Sequence, residues 1–287
     1  MSNLRDIKRR IRSVRNTSQI TKAMQMVASA KMHRAQELAL RGRTYVSALA
    51  NVLKHLRETI SEGDSPLMKN RGGKPLIIVI NTDRGLCGAL NANLLKEVLT
   101  SCPREADYVT IGSKLNPQMT RCGLHLAASF SLGDNFTEYE LKPVMDFIRQ
   151  GFVNGLYGSV SVAYQLFVNI MVQRPQIDQL LPILPEELLK VAAQDDVEDD
   201  DNANFILEPT PKALLDSILP LYFTNLFTQR VLEGKASEQS ARMVAMKAAT
   251  ENARTLIDSL TLEYNKARQT QITNELLEIT TAMKAME

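Results

Sequence analysis

The first sixty residues carry a long repeat of uncharged positions at alternating steps of three and four residues. Thirteen of its seventeen members are apolar, and none of the sixteen charged residues of this segment falls on it. A repeat sustained over about eight heptads predicts one long coiled-coil helix. We call these positions the seam: Leu4, Ile7, Ile11, Val14, Ser18, Thr21, Gln25, Ala28, Met32, Ala35, Ala39, Gly42, Val46, Leu49, Leu53, Leu56 and Ile60.

The seam changes character before its midpoint. It turns polar at three successive positions, while a second row of apolar residues runs beside it. Such a shift of the contact stripe around the helix indicates a stutter or a locally untwisted coiled coil. The polar positions are Ser18, Thr21 and Gln25, and the neighbouring row consists of Ile20, Met24 and Val27.

The other end of the chain predicts a second long helix. Thr210 is the expected N-cap, with Pro211 at the first helical position. Pro220 follows about two turns later, where we expect a kink or a short break. Small residues between 236 and 253 match the small seam positions of the first helix, so the two helices can lie close together. They must run antiparallel, because one enters the middle of the chain where the other leaves it.

The middle of the chain predicts an α/β domain. All eleven prolines lie between Pro66 and Pro220, where apolar β-branched runs alternate with helical patterns. We predict strands at 76–82, 107–112 and 124–130, one long strand or a bent pair at 159–172, and a helix at 137–151. This alternation is typical of a right-handed, Rossmann-like layout. The predicted domains are the helix 1–62, the α/β domain 63–208 and the helix 209–287.

No catalytic, cofactor-binding or metal-binding group is evident in the middle domain. The turn Gly85–Gly88 lacks the third glycine of a dinucleotide fingerprint and the Lys-Ser/Thr of a P-loop. A tight strand-to-helix turn is the favoured interpretation, with nucleotide binding as the alternative. The histidines show no metal-ligand spacing, and three unpaired cysteines indicate a reduced intracellular protein. For Asp83 and Arg84 two interpretations stay open, a local ion pair and a catalytic pair.

Charge is distributed unevenly along the chain. Residues 1–60 contain thirteen Lys/Arg and three Asp/Glu, a net charge of +10, whereas residues 61–220 contain thirteen and twenty-one, a net charge of −8. This imbalance predicts an acidic partner for the first helix, the alternative being a solvated basic face. No apolar run reaches the length of a membrane span, and the basic start has no apolar core of a secretory signal.

Several motifs resemble the gamma subunit of F-type ATP synthases. They lie at both ends and in the middle of the chain: IKRRIRSVRNTSQITKAMQMVASAKMHRAQ, NTDRGLCGALNANL, EPTPKALLDSIL, ASEQSARMVAMKAATENA and YNKARQTQITNELLEIT. The family's Gly-Ala after its C-terminal acidic motif is replaced by Ala282-Met283. The resemblance implies a long antiparallel two-helix coiled coil, formed by the N- and C-terminal helices, with a central Rossmann-like α/β domain.

The resemblance also implies a function and a set of partners. The chain would be the central rotor of a proton-translocating ATP synthase and would perform no bond chemistry itself. Its partners would be the alpha3 beta3 hexamer of nucleotide-binding subunits, an epsilon-type stalk subunit and the membrane rotor ring, without nucleic acid or a small-molecule substrate. As a peripheral protein it would lie on the cytoplasmic face of a bacterial inner membrane.

Contact residues follow from the resemblance as expectations. On the first helix, the apolar row with Lys22 would meet the catalytic subunits near acidic loops, and the arginines would lie deeper in the hexamer. On the last helix, polar groups would bond to catalytic-subunit loops, and two methionines would turn in an apolar bearing. These residues are Arg9, Arg10, Arg12, Ile20, Lys22, Met24, Val27, Arg268, Gln269, Thr273, Glu275, Glu278, Met283 and Met286.

Three other functions compete with a rotor. A coiled-coil scaffold or tether predicts a symmetric homodimer instead of one copy among partners. A nucleic-acid binder would use the basic helix, although Tyr45 is the only aromatic residue in that segment. A nucleotide-dependent enzyme would need the middle domain alone to bind nucleotide.

Overall fold

The computed structural model of the chain describes residues 4–56, 65–69, 72–134, 136–184 and 210–286. Seam position Ile60, the side chain of Leu56 and the predicted domain boundaries at 62/63 and 208/209 lie outside this description. The elements in chain order are α1 (Leu4–Leu56), β1 (Lys74–Ile80), α2 (Leu90–Ser101), β2 (Asp107–Ile111), α3 (Asn116–Arg121), β3 (His125–Phe130), α4 (Glu138–Val153), β4 (Tyr157–Phe167), β5 (Gln173–Leu181) and α5 (Pro211–Met286).

The middle of the chain forms a five-stranded sheet in the order β3-β2-β1-β4-β5. Strands β1 to β4 are parallel to their neighbours, and β5 is antiparallel to β4. The central strand β1 is a run of Leu, Ile and Val whose last five residues are buried, as expected for a strand covered on both faces. The Rossmann-like prediction is therefore confirmed for the parallel part of the sheet.

The segment 159–172, predicted as one long strand or a bent pair, contains strand β4 and the turn that leads to the antiparallel strand β5. Strand β4 ends at Phe167, and Asn169 then turns the chain by accepting hydrogen bonds at Oδ1 from the backbone N–H groups of Met171 and Val172. Strand β5 was not predicted because most residues of Gln173–Leu181 are polar and the segment contains Pro175. Its place at the edge of the sheet accounts for that proline, since an edge strand tolerates a residue without an N–H donor.

Helices cover both faces of the sheet. One face, with Ile78 and Val160, packs in a single buried cluster with residues of α1, α4 and α5. The other face, with Ile77 and Val79, packs against α2 and α3. The two terminal helices therefore supply part of the core of the middle domain.

Contacts divide the chain into two units, and α1 and α5 each contribute to both. We call Met1–Ala28 with Met243–Glu287 the coil unit, and Ser29–Arg242 the sheet unit. Every seam position from Leu4 to Leu53 is buried or half-buried, which confirms the prediction over the described side chains. Thr21 pairs with Thr250 and Ala39 with Gln229, so α1 and α5 run antiparallel.

Helix α5 begins as predicted but does not break. The Thr210 hydroxyl accepts a hydrogen bond from the Ala213 N–H at 3.3 Å, which caps the helix before Pro211. The helix then runs for 76 residues, and its helical backbone continues through Pro220. Tertiary packing compensates for the missing N–H donor, because Leu219 and Tyr222 on either side are buried in the core.

Candidate partner-contact surface

The apolar row on α1 is exposed in the coil unit. The side chains of Ile20 and Val27 are 59% and 55% exposed, whereas Met24 between them is half-buried. Lys22 on the same stretch is exposed. Because the seam beside this row is buried against α5, the row is an apolar surface available to another molecule.

The polar stretch of the seam makes a bond between the two helices. Thr21 Oγ1 lies 2.7 Å from Thr250 Oγ1, and both threonines are at least half-buried. Ser18 and Gln25 are half-buried on the same side. The shift of apolar character toward Ile20 and Val27 therefore accompanies a polar contact between the two helices.

The beginning of α1 is strongly basic and exposed. Residues 4–28 contain seven Lys/Arg and a single acidic residue, Asp6, a net charge of +6. The predicted contact residues Arg9, Arg10 and Arg12 are all exposed, and Arg9 Nη2 lies 3.0 Å from Asp6 Oδ1. An exposed pair of this kind contributes little stability. The net positive charge of this segment therefore lies at the surface of the helix, where it suits an acidic partner.

The end of α5 has no buried side chain. Every residue from Arg268 to Met286 is exposed, although a helix of this length in a folded domain normally buries an apolar stripe. Its exposed apolar residues are Ile272, Leu276, Leu277, Ile279, Met283 and Met286. The predicted polar contact residues Arg268, Gln269, Thr273, Glu275 and Glu278 lie on the same exposed stretch. Among them, the Glu275 carboxylate accepts a hydrogen bond from the Gln271 amide at 2.8 Å.

The glycine-rich turn after β1 is a structural junction. Asp83 accepts hydrogen bonds at Oδ1 from the Ser113 N–H and hydroxyl, and at Oδ2 from the Ser131 hydroxyl. These contacts join the loops that follow three neighbouring parallel strands, and they replace the local pair with Arg84 considered from the sequence. Leu86 and Gly88 have φ values of 65° and 62°, which is typical of a tight turn. The favoured interpretation of this motif as a turn therefore fits the geometry.

Charged residues buried on α5 were missed from the sequence. Arg242 Nη2 lies 2.7 Å from Glu238 Oε1, and Lys235 Nζ donates to the Leu132 carbonyl at 2.9 Å. All three charged residues are buried. The available signal was their position in KASEQSARM (235–243), a segment rich in small residues where another element can approach the helix closely.

Asp134 joins the loop after β3 to both long helices within the sheet unit. Its carboxylate accepts hydrogen bonds from Lys31 Nζ at 2.6 Å and from Gln239 Nε2 at 3.1 Å. Burial alone would raise the pKa of Asp134, but the Lys31 hydrogen bond and the charges of Lys31, Lys235 and Arg242 lower it below its usual value.

The described ranges contain no group of three His, Cys, Asp or Glu side chains arranged to hold a metal ion. Nor does any helix in them combine the length and apolar character needed to cross a membrane. The predicted contact residues lie on two helical surfaces, one basic on α1 and one mixed on α5, and each has exposed apolar residues.

Comparison with known proteins identifies the family of the chain. The family model described as ATP synthase matches residues 3–286, and a curated ATP synthase gamma chain from Akkermansia muciniphila is 59% identical over the full length of both chains. The chain belongs to the ATP synthase gamma family. A gamma chain from Methylacidiphilum infernorum is 42% identical over all of both chains. One from Opitutus terrae is also 42% identical and covers 99% of each chain.

Solved structures agree with the gamma-family fold. A chain in the Euglena gracilis mitochondrial ATP synthase, from the OSCP/F1/c-ring structure, superposes with a TM-score of 0.72 at 21% identity and covers 99% of this chain and 94% of that one. A chain of the rotor structure from the same organism gives 0.66 at 19% identity, covering 94% and 98%. At such identities the likeness concerns the fold. It matches the sequence expectation of two long terminal helices around a central sheet domain.

Proposed function

We propose that this gamma-family chain is the central rotor of a proton-translocating ATP synthase. It couples rotation of a membrane ring to conformational changes in an alpha3 beta3 hexamer, with an epsilon-type subunit beside it in the stalk. The chain itself is non-catalytic and binds no cofactor. As part of the complex it is peripheral to the membrane, on the cytoplasmic face of a bacterial inner membrane.

The observation that carries this proposal is the bare end of α5. Nineteen consecutive residues, 268–286, are exposed and include apolar side chains such as Leu276 and Met283. A helix that exposes these apolar residues to water would tend to aggregate unless a partner covers it. A sleeve of subunits that encloses the end of α5 supplies that cover and leaves the helix free to turn.

The sequence expectations assign contacts within such a sleeve. Ile20, Met24 and Val27 with Lys22 meet the catalytic subunits, where the cation of Lys22 suits acidic loops. The exposed arginines at the start of α1 lie deeper and face acidic groups of the same subunits. On α5, five polar side chains bond to subunit loops, and two methionines form the apolar bearing. The polar residues are Arg268, Gln269, Thr273, Glu275 and Glu278, and the methionines are Met283 and Met286.

The physical requirements of a rotor fit this chain. A part that transmits torque must resist twisting, and small residues let α1 and α5 pack at close range. Gly42 is an example, because the Gln229 side-chain oxygen occupies the space that a β-carbon would need. A rod with different faces presents a different surface to each catalytic subunit, and so it biases their conformations in turn.

Co-purification tests the proposal directly. A tagged chain expressed in its own cells should recover a hexameric ATPase at one copy of this chain per hexamer, as measured by native mass spectrometry. Recovery of a symmetric homodimer without an ATPase would instead support the coiled-coil scaffold. Salt-sensitive binding of nucleic acid by the basic helix, without an ATPase, would support a nucleic-acid binder.

A further inference from the structure

A buried ionic network in the sheet unit ties both long helices to the sheet. We call it the joint network, and its members come from four elements: Arg43 of α1, Tyr164 of β4, Asp178 of β5, and Arg230 and Glu233 of α5. Arg230 Nε lies 2.9 Å from Asp178 Oδ2, and Arg43 Nη2 lies 2.9 Å from Glu233 Oε1. Through these two contacts, one turn of α5 is held by both the sheet and α1.

Further contacts within the joint network fix the position of the Arg230 side chain. The Tyr164 hydroxyl donates to Asp178 Oδ2 at 2.9 Å, and the Arg230 guanidinium carbon lies 5.2 Å from the centre of the Tyr164 ring. Burial raises the pKa of Tyr164, so its hydroxyl keeps the proton that it donates. Burial opposes the charge of Arg230, but the carboxylates of Asp178 and Glu233 raise its pKa, and the guanidinium stays charged over the Tyr164 ring.

The joint network is a costly way to obtain stability alone. Glu233 is 1% exposed at its side chain, and its Oε2 accepts no hydrogen bond from the described residues, with Arg230 Nη1 at 3.7 Å. Desolvation of two ion pairs largely cancels their attraction, and well-packed apolar residues of the same volume stabilise a fold as well or better. The best-attested use of such pairs is to fix one register of packing.

The directional character of the joint network matters under torque. Other contacts of α5 with the sheet are mostly apolar, through side chains such as Phe227 and Val231. A further polar one is the Ser237 hydroxyl, which donates to the Gln165 carbonyl of β4 at 2.9 Å. Apolar burial is non-directional, so a helix can turn or slide between alternative packings at small cost.

A hydrogen bond weakens steeply when its angle or distance changes, and Arg43 Nη2 donates one to Glu233 Oε1 of α5. The contact of Arg230 with Asp178 is an ion pair, and separating its two charges loses their attraction. Contacts from α5 to both β5 and α1 therefore oppose rotation of the helix about its own axis.

We propose that the joint network is the torque joint of this chain, holding α5 and α1 in register with the sheet while the rotor turns. This inference rests on the proposed rotor function. Since α1 and α5 contribute to both units, torque that enters at the sheet unit passes to the coil unit along these helices. The five residues are positioning residues, which act through the helices.

The test uses the assembled complex in membrane vesicles. The variants are Arg230→Met, Asp178→Asn and their combination, which leaves the Arg43–Glu233 pair intact and buries no unpaired charge. The control is Leu94→Ala, a fully buried residue on the other face of the sheet. For each complex one measures the thermal midpoint, ATP hydrolysis and ATP-driven proton pumping.

In the combined variant we expect the ratio of protons pumped to ATP hydrolysed to fall at least about twofold. Its thermal midpoint should stay near the native value, because both partners of the pair are neutralised together. The Leu94→Ala complex should lose thermal stability and keep the native ratio. This contrast separates a torque joint from a merely stabilising network.

Two results overturn the inference. One is a combined variant that pumps with the native ratio, and the other is a ratio that follows the thermal midpoint equally for network and control variants. If the native chain fails to assemble with the hexamer or to restore pumping at all, the proposed function itself fails. The two failures are therefore distinguishable in one set of measurements.

Discussion

Replacement of Gly234 by alanine should destabilise the chain, although alanine is the better helix former. Gly234 lies inside α5 and is buried against the last residue of the central strand. A β-carbon built at this position would lie 2.9 Å from Ile80 Cγ2. Carbon atoms in favourable contact are about 3.5–4.0 Å apart, and Ile80 is itself only 4% exposed. Either the helix or the strand must therefore move.

Two opposing effects, helix propensity and overpacking, decide whether Gly234→Ala stabilises or destabilises the chain. Alanine in place of glycine inside a helix contributes about 1 kcal/mol of stability. Overpacking a well-filled core costs about 1–3 kcal/mol, and here the contact is with a β-branched side chain on the central strand, which cannot turn away freely. The expected net effect of Gly234→Ala is a loss of about 0–2 kcal/mol. Gly234→Val adds two further methyl groups and should cost about 3 kcal/mol.

Urea unfolding followed by far-UV circular dichroism measures these changes, and a double-mutant cycle with Ile80→Ala isolates the contact. Ile80→Ala alone should cost about 2–5 kcal/mol by leaving a cavity. In the double variant the new methyl group occupies part of that cavity. The destabilisation of the double variant should therefore be about 1 kcal/mol smaller than the sum of the two single destabilisations. The close approach of α5 to β1 is refuted if Gly234→Ala stabilises the chain by the full helix-propensity gain, or if the two costs simply add.

Three further predictions concern other parts of the chain. Lys22→Glu and Met24→Lys should each lower the ratio of proton pumping to ATP turnover more than they lower assembly. The first places a carboxylate against acidic loops, and the second places a charge in the apolar row. Asp134→Asn should flatten the acid side of the stability–pH curve: a carboxyl with a lowered folded pKa contributes stability above its unfolded pKa and loses it as pH falls through the folded one. Thr250→Val should cost about 1 kcal/mol in thermal unfolding, and adding Thr21→Val should recover part of that loss.

For each of these three predictions, one result would contradict it. An unchanged pumping ratio in both α1 variants would remove the contact assignment for that row. A stability–pH curve of Asp134→Asn that parallels the native curve would mean that the carboxyl is not stabilised in the folded chain. A Thr21→Val change that adds its full cost to Thr250→Val would argue against the hydroxyl pair between the helices.

The long helices could be predicted because their signal is repeated many times. Exclusion of charge from the seam is a property of each turn, and each of the many turns adds to the same conclusion. The central parallel strand was predicted for a related reason: a strand segment buried on both faces must be continuously apolar, as β1 is from Leu76 to Ile80. Thr210 and Pro211 located the start of α5 because capping depends on a few neighbouring residues.

The misses depend on contacts between distant parts of the chain. Strand β5 has a polar sequence with a proline, and only pairing with β4 makes it a strand. The break expected at Pro220 is prevented by burial of its neighbours in the core. Arg230 and Glu233 read as ordinary charges on a helix, and their partners Arg43 and Asp178 lie far away in sequence.

The sequence by itself determined the two terminal helices, their antiparallel order, the α/β middle and the family, because periodicity, capping and motifs are local in the chain. Only the tertiary structure decided which charges are buried, which apolar residues stay exposed at Ile20, Val27 and the end of α5, and how closely Gly42 and Gly234 let neighbouring elements approach. Burial depends on which distant segments pack together. The ionic network that holds α5 to the sheet therefore becomes visible only once the chain is folded.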